Sequence, residues 1–257
     1  MIIKKSPEEI DRMAAAGAVL VRTLRMLEGK VREGVTTADL DEAAEKFIRS
    51  QGGVPAFKGY RGFPGSICAS PNSMVVHGIP GSYKLSRGDI LSIDVGVILD
   101  GWVADAAITV PVGNVTPVAK KLLSTTRAAL FDAVEQCRVG NRLGDIGHAV
   151  QQRVEADDFS VVRSLVGHGI GRDMHEDPQI PNYGEPGTGE KLEEGMVLAV
   201  EPMVNVGNHP IRVAADNWSV YSQDGSLAAH FEHTVAITAD GPRILTPWHL
   251  EEAARAA

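Results

Sequence analysis

The sequence predicts an α+β fold, and three observations carry that prediction. Helical periodicity comes in pairs of segments, each pair followed by strands, instead of in strict β-α-β alternation. The plan occurs twice: Ser6-Pro7 is echoed by Thr116-Pro117, and GVTTADL (34–40) by GNRLGDI (140–146), with Gly, Asp and an aliphatic residue at matching offsets. IDVGVILDGWVADAAIT (93–109) reads as two strands turning at Asp100-Gly101, a strong hairpin signal between apolar runs.

In chain order, Ser6-Pro7-Glu8-Glu9 opens the first helix with a cap, a proline at the first helical position and Glu9 three residues after the cap. Ile10, Met13, Ala14, Gly17, Val21, Leu24 and Leu27 then recur on one helical face until Gly34 breaks the pattern. A second helix starts near Thr37, turns Leu40, Ala43, Ala44, Phe47 and Ile48 inward, and stops at Gly52-Gly53. VPAFKGYRGFPGSICASPN (54–72) mixes Gly, Pro and aromatics and reads as strand and loop; VVHGIP (75–80) precedes the hairpin. Past Pro111, Leu122, Thr126, Leu130, Ala133 and Cys137 mark a third helix, and Ile146, Val150 and Val154 a fourth. From its proline to its glycine the second copy is about one helical turn shorter. LVGHGIGRDMHEDP (165–178) then sets His168 at the end of a short strand and His175 on the loop beyond. MVLAVEPMV (196–204) and AAHFEHTVAIT (228–238) are buried-type strands interrupted by Glu201 and Glu232, and residues 205–227 between them read as an inserted hairpin or loop carrying Trp218. No linker or low-complexity stretch divides the chain, so a single domain over residues 1–257 is expected.

The 257 residues are 44% hydrophobic, enough for a sizeable core. A net charge of −8 argues against a chain built to coat nucleic acid or anionic lipid. Lys4, Lys5, Lys58 and Arg61 read as scattered surface charge. Cys68 and Cys137 are the only cysteines, which gives no disulfide framework and fits a reducing compartment. No apolar run approaches the ~18 residues needed to span a bilayer, and no signal-peptide core follows the first lysines. A soluble cytoplasmic protein is expected.

If Asp100 and Gly101 form the turn, Leu99 faces Trp102 and Gly96 faces Asp105, so Asp94 and Asp105 share one face as diagonal neighbours roughly 7 Å apart. Bare carboxylates on an apolar hairpin repel each other and lose hydration, so a cation is expected between them. Glu201 and Glu232 are equally misplaced in apolar strands, and His168 stands at a strand end. Four carboxylates and one imidazole, with no thiolate, suit Mn²⁺, Fe²⁺, Co²⁺ or a catalytic Zn²⁺ pair and not a structural zinc site. Two such ions in a dry cleft lower the pKa of a bridging water and polarise a carbonyl, a recipe for hydrolysis.

Five ordered motifs carry a family resemblance: NSMVVHGIP (72–80), the hairpin, GHGIGRDMHEDPQIPNYG (167–184), GMVLAVEPM (195–203) and HFEHT (230–234). From about Ser6 to about Pro247 the chain resembles the type I methionine aminopeptidases, metallopeptidases of the M24 family with the pita-bread fold. The resemblance implies internally duplicated helix-helix-strand halves around a curved antiparallel sheet. It also implies five metal ligands, Asp94, Asp105, His168, Glu201 and Glu232. Asp105 and Glu232 would bridge two metals, Asp94 would chelate one, and His168 and Glu201 would complete the other. Aminopeptidases are known users of two-metal sites, so this pairing comes with the family. Glu201 is implied as the base for the nucleophilic water, His77 as a group beside the scissile amide, and His175 as the stabiliser of the carbonyl oxygen as it becomes tetrahedral. The methionine slot maps onto Phe57, Tyr60, Phe63, Cys68, Met174 and Trp218, whose rings and sulfurs suit a thioether. Phe57, Met174 and His230 depart from the commoner family residues. His233, beside Glu232, is a candidate supporting residue.

The implied reaction is removal of the initiator methionine from nascent chains whose second residue is small, by a monomer in transient association with the ribosome. Two alternatives share the fold. A proline-directed aminopeptidase or dipeptidase usually carries an extra N-terminal domain, and here the repeat unit begins at Ser6. A non-catalytic binding module would lack ligands and carry charged tails, whereas all five ligand positions are filled.

Overall fold

The computed structural model describes residues 1–249; residues 250–257, the end of the expected domain, lie outside the described residues. Ser6 opens α1 (Pro7–Glu28) with a reciprocal cap: Ser6 Oγ accepts the Glu9 amide at 3.3 Å and Glu9 Oε2 accepts the Ser6 amide at 3.0 Å. Thr36 and Asp39 repeat the device at α2 (Thr37–Ser50). The first half continues with β1 (Val54–Pro55), β2 (Cys68–Pro71), β3 (Met74–Val76), β4 (Ile90–Leu99) and β5 (Trp102–Pro111). The buried face of α1 is wider than the expected stripe and adds Ala16, Val19 and Leu20, because the helix lies across both β4 and β5.

The second half opens with α3 (Pro117–Gln136) and α4 (Leu143–Glu155), which pack on each other. It continues with β6 (Ser160–Val161), β7 (Val166–Gly169), β8 (Glu176–Pro181), β9 (Val197–Val200) and β10 (Met203–Asn205). The expected hairpin at Trp218 is β11 (Ile211–Val213) with β12 (Val220–Ser222). β13 (Ala228–His230), β14 (His233–Thr238) and β15 (Gly241–Ile244) follow. Pairing is antiparallel throughout. One sheet joins β1, β4 and β2 with β5 on β4; a second runs β15-β14-β9-β7-β8; two three-stranded sheets, β13-β10-β6 and β11-β12-β3, complete the fold. Among the described residues no helix is long and apolar enough to cross a membrane.

The duplication reaches further than the helix starts. Gly34 and Gly140, both at positive φ, donate to the carbonyls of Leu85 (2.8 Å) and Leu192 (3.1 Å). Those leucines return the bond to Val35 (2.9 Å) and Asn141 (2.7 Å). From them run LSRGDILSID (85–94) and LEEGMVLAVE (192–201), each turning on a glycine at positive φ, Gly88 and Gly195. Asp94 and Glu201 are therefore counterparts at the ends of equivalent segments.

The halves are sewn along β5. Thr109 Oγ1 donates to the His230 carbonyl (2.7 Å) and accepts its amide (2.9 Å). The Glu232 amide donates to the Ala107 carbonyl at 2.9 Å. This seam is buried on both sides, so its polar groups must pair with one another, and they do.

Candidate metal centre and adjoining pocket

The hairpin register is the expected one: Leu99 opposes Trp102, Gly96 opposes Asp105, and Asp94 stands two residues before Gly96 on the same face. His168 lies on β7, Glu201 follows β9, and Glu232 precedes β14. All five open onto one cavity of about 160 Å³. Asp105, His168 and Glu232 each offer a ligand atom within 4.8 Å of the other two. His168 Nε2 lies 3.6 Å from Glu201 Oε1.

The electrostatics are those of an anionic cluster kept from water. Burial, then Asp94 and Glu201 as like charges, hold the Asp105 carboxyl well above its usual range. Glu232 is raised by burial and by Asp105, Glu201 and Asp94, and Glu201 by burial and Asp94. Burial lifts Asp94 to about 7. Asp94 Oδ1, Asp105 Oδ1 and Glu232 Oε1 are buried without a hydrogen-bond partner. Orphaned carboxylate oxygens on adjacent elements are costly unless a cation meets them. His168 fits the same arrangement. Its Nδ1 lies 2.9 Å from the Gly169 carbonyl, which only accepts, so the proton sits on Nδ1 and the Nε2 lone pair faces the carboxylates. The donor set suits divalent cations, and Asp105, His168 and Glu232 converge closely enough to share one.

Phe57, Tyr60, Phe63, Cys68 and Trp218 line the rest of the cavity, with His77 and His175. Phe63 and Trp218 meet edge to face at 5.1 Å. The Cys68 thiol is pushed well above its usual range by burial, so this sulfur is a neutral wall. Met174 is not on the cavity surface; it is buried behind Phe57, against the strand at Gly96. A Cβ on Gly96 would lie 2.7 Å from Phe57 and 2.8 Å from Met174, which explains glycine there.

His77 holds a left-handed backbone, φ 58°, a conformation that costs a non-glycine residue energy and is often kept for function. The next amide, of Gly78, donates to Ser70 Oγ at 3.0 Å and pins the turn. Burial lowers the His77 pKa, so the ring is neutral. His175 Nδ1 is 2.9 Å from the Tyr60 hydroxyl, and its ring centre is 4.2 Å from that of His168.

Two cavity neighbours are given no role by the sequence reading. Arg61, also at positive φ, lies at the cavity beside Tyr60. His230 is buried, with Nε2 unpartnered, 3.6 Å from Glu201 Oε2 and 3.9 Å from Glu232 Oε2. Its signal was present: in a strand, His230 and Glu232 alternate onto one face. By the same alternation His233 points away. It bonds Thr246 Oγ1 at 3.2 Å and stacks on Trp248 at 4.6 Å, so it is no part of the cavity. Lys5 is a second correction: its side chain is buried, where a surface charge was expected.

Over nearly its full length the chain is similar to known metallopeptidases. Residues 11–239 match the profile of metallopeptidase family M24. A methionine aminopeptidase of Clostridium perfringens is 54% identical over 246 residues, covering 96% of this chain and 99% of that protein. The crystal structure of methionine aminopeptidase from Rickettsia prowazekii superposes with a TM-score of 0.94 at 44% identity, covering 96% of this chain and 100% of that one. The Xaa-Pro dipeptidase of Bacillus anthracis shares the fold alone, with a TM-score of 0.75 at 21% identity and 61% of its own length covered.

Proposed function

The chain belongs to metallopeptidase family M24, among the methionine aminopeptidases, and from that premise we propose that Asp94, Asp105, His168, Glu201 and Glu232 together hold two divalent cations. Bound there, such ions supply a polarised scissile carbonyl and a water acidic enough to attack at neutral pH. The reaction is hydrolysis of the bond after an N-terminal methionine.

The chain's own groups do the rest. Glu201 takes the proton from the attacking water. We assign the Tyr60 hydroxyl, 2.9 Å from Nδ1, as the donor of that bond; the proton of His175 then stands on Nε2, from which it bonds the carbonyl oxygen as charge builds there. His77, neutral and held by its turn, bonds the scissile amide. Phe57, Tyr60, Phe63, Cys68 and Trp218 receive the methionine side chain, with Met174 packed behind. A small second residue is required because a larger one meets the cleft wall.

The observation that carries this reading is the convergence of four carboxylates, three with orphaned oxygens, and His168 on one cavity. The oxygen-rich set favours Mn²⁺, Fe²⁺, Co²⁺ or a Zn²⁺ pair. The protein acts as a single catalytic domain, a cytoplasmic monomer working on nascent N-termini in transient contact with the ribosome; the two free cysteines agree with a reducing compartment. Metal-reconstituted protein offered Met-Ala-Ser and Ala-Pro-Ala should release methionine from the first and leave the second intact. Cleavage before proline alone would replace this reading with the dipeptidase one.

A further inference from the structure

Lys5 reaches the catalytic neighbourhood from outside the cavity. Its ammonium sits 2.5 Å from Glu176 Oε2 and 2.9 Å from the Ile3 carbonyl, and the two side chains are only 2% and 4% exposed. The Lys5 amide is fixed as well, donating to the Gly195 carbonyl at 2.7 Å. Glu176 spends its other oxygen on the loop before it: Oε1 accepts the Arg172 amide at 2.9 Å and the Asp173 amide at 3.4 Å. The loop so gathered, residues 170–175, carries Met174 and His175.

Two further contacts clamp its far side. The Val103 amide donates to the Gly171 carbonyl at 2.9 Å, and the Arg172 guanidinium lies 3.9 Å from the centre of the Trp102 ring. A Cβ on Gly171 would lie 2.5 Å from both Glu176 Oε1 and Lys5 Cε, so the loop backbone rests directly on the ion pair. A buried pair stabilises little by itself, because both charges leave water. Its geometric effect is large: a carboxylate with a fixed counter-ion on one oxygen and two loop amides on the other cannot rotate.

We infer that Lys5 is a positioning residue for the chemistry: through Glu176 it fixes the loop that sets His175 against Tyr60 and Met174 behind the methionine slot. This rests on the role proposed above for His175. Without the ammonium, Glu176 seeks water, the loop amides lose their anchor, and His175 leaves its hydrogen-bonded position.

Turnover of Met-Ala-Ser by metal-loaded Lys5→Met, Lys5→Arg, His175→Ala and the Lys5→Met/His175→Ala double variant tests this, alongside NMR of the His175 imidazole. Lys5→Met should lower kcat about tenfold with a smaller change in KM, and shift the His175 resonances; Lys5→Arg, which keeps the charge, should restore most of both. In the His175→Ala background Lys5→Met should cost less than about twofold more, because the two act as one unit. If Lys5→Met does not fold, Lys5→Met/Glu176→Gln removes both buried charges together and should fold and remain slow. Parent-like kcat in either variant, or a full additional loss in the His175→Ala background, overturns the inference. Slow His175→Ala beside parent-like Lys5→Met overturns it alone; normal turnover by His175→Ala removes the proposed role of His175 and this inference together.

Discussion

Thr234 and Asp105 exchange two hydrogen bonds across the seam between the halves: Thr234 Oγ1 accepts the Asp105 amide at 3.0 Å and donates to the Asp105 carbonyl at 2.7 Å. One hydroxyl thus fixes the spacing between Asp105 and Glu232, which stands two residues before Thr234. Thr234→Val keeps the shape and orphans two buried backbone groups, at a cost of about 1–3 kcal/mol each at most. Thermal unfolding should show a lowered midpoint, and titration with Mn²⁺ should show weaker binding than in the parent. An unchanged metal affinity would mean that the seam does not set the distance between these carboxylates.

Asp105→Asn separates the electrostatics of the empty cluster from those of the loaded one. Asp105 is raised chiefly by burial and then by Asp94 and Glu201, so a neutral isostere relieves the desolvation cost and the repulsion in the metal-free protein. The metal-free variant should unfold at a higher temperature than the metal-free parent. With metal supplied it should turn over roughly a hundredfold or more slowly, the scale seen when one electrostatic stabiliser is removed from an active site. Calorimetry of both forms and a metal count on the assayed sample check the two halves of this expectation.

Much of this site was legible because its residues break local rules. Asp94 and Asp105 in an apolar hairpin, and Glu201 and Glu232 interrupting buried strands, stand out against the pattern. The Asp100-Gly101 turn then sets which residues face each other, and the observed pairing of Gly96 with Asp105 follows from it. What escaped is what depends on tertiary contact. Lys5 reads as surface charge because nothing near it in sequence shows Glu176 waiting 2.5 Å away. His233 reads as a supporting residue from adjacency, yet tertiary contacts with Thr246 and Trp248 hold its ring outside the cavity. The echo of LSRGDILSID in LEEGMVLAVE is faint in sequence because few side chains repeat; the turn glycines and the exchanged bonds of Leu85 and Leu192 make it visible.

Asp216 holds a wall of the pocket from outside. Its Oδ1 accepts the amides of Trp218 and Ser219, each at 2.9 Å, and its Oδ2 accepts the Ser219 hydroxyl at 2.7 Å. The Ser219 hydroxyl, then the Trp218 amide, lower its pKa from 3.8. A carboxyl depressed in the fold contributes stability that is complete above its unfolded pKa and lost as pH falls through the folded value. The Trp218 turn should therefore be insensitive to pH between about 5 and 8 and loosen only below about 4. Asp216→Ala should release the turn at every pH. Its tryptophan fluorescence at pH 7 should then differ from that of the parent, with a raised KM for Met-Ala-Ser.

Gly96 offers the most direct control over the proposed methionine slot. It lies on the hairpin between Asp94 and the turn, facing Asp105, and its missing side chain is the space that Phe57 and Met174 occupy. An alanine Cβ would sit 2.7 Å from Phe57 and 2.8 Å from Met174, well inside contact distance, so one or both must move. Phe57 lines the cavity, so the movement narrows the slot without touching a carboxylate. Gly96→Ala should bind metal as the parent does and lose roughly tenfold or more in kcat/KM for Met-Ala-Ser, the scale of one methylene of misfit in an apolar pocket. The loss should appear in KM more than in kcat, because the slot holds substrate and transition state alike. A fall in kcat at unchanged KM would instead mean that the hairpin shift had reached Asp94 or Asp105.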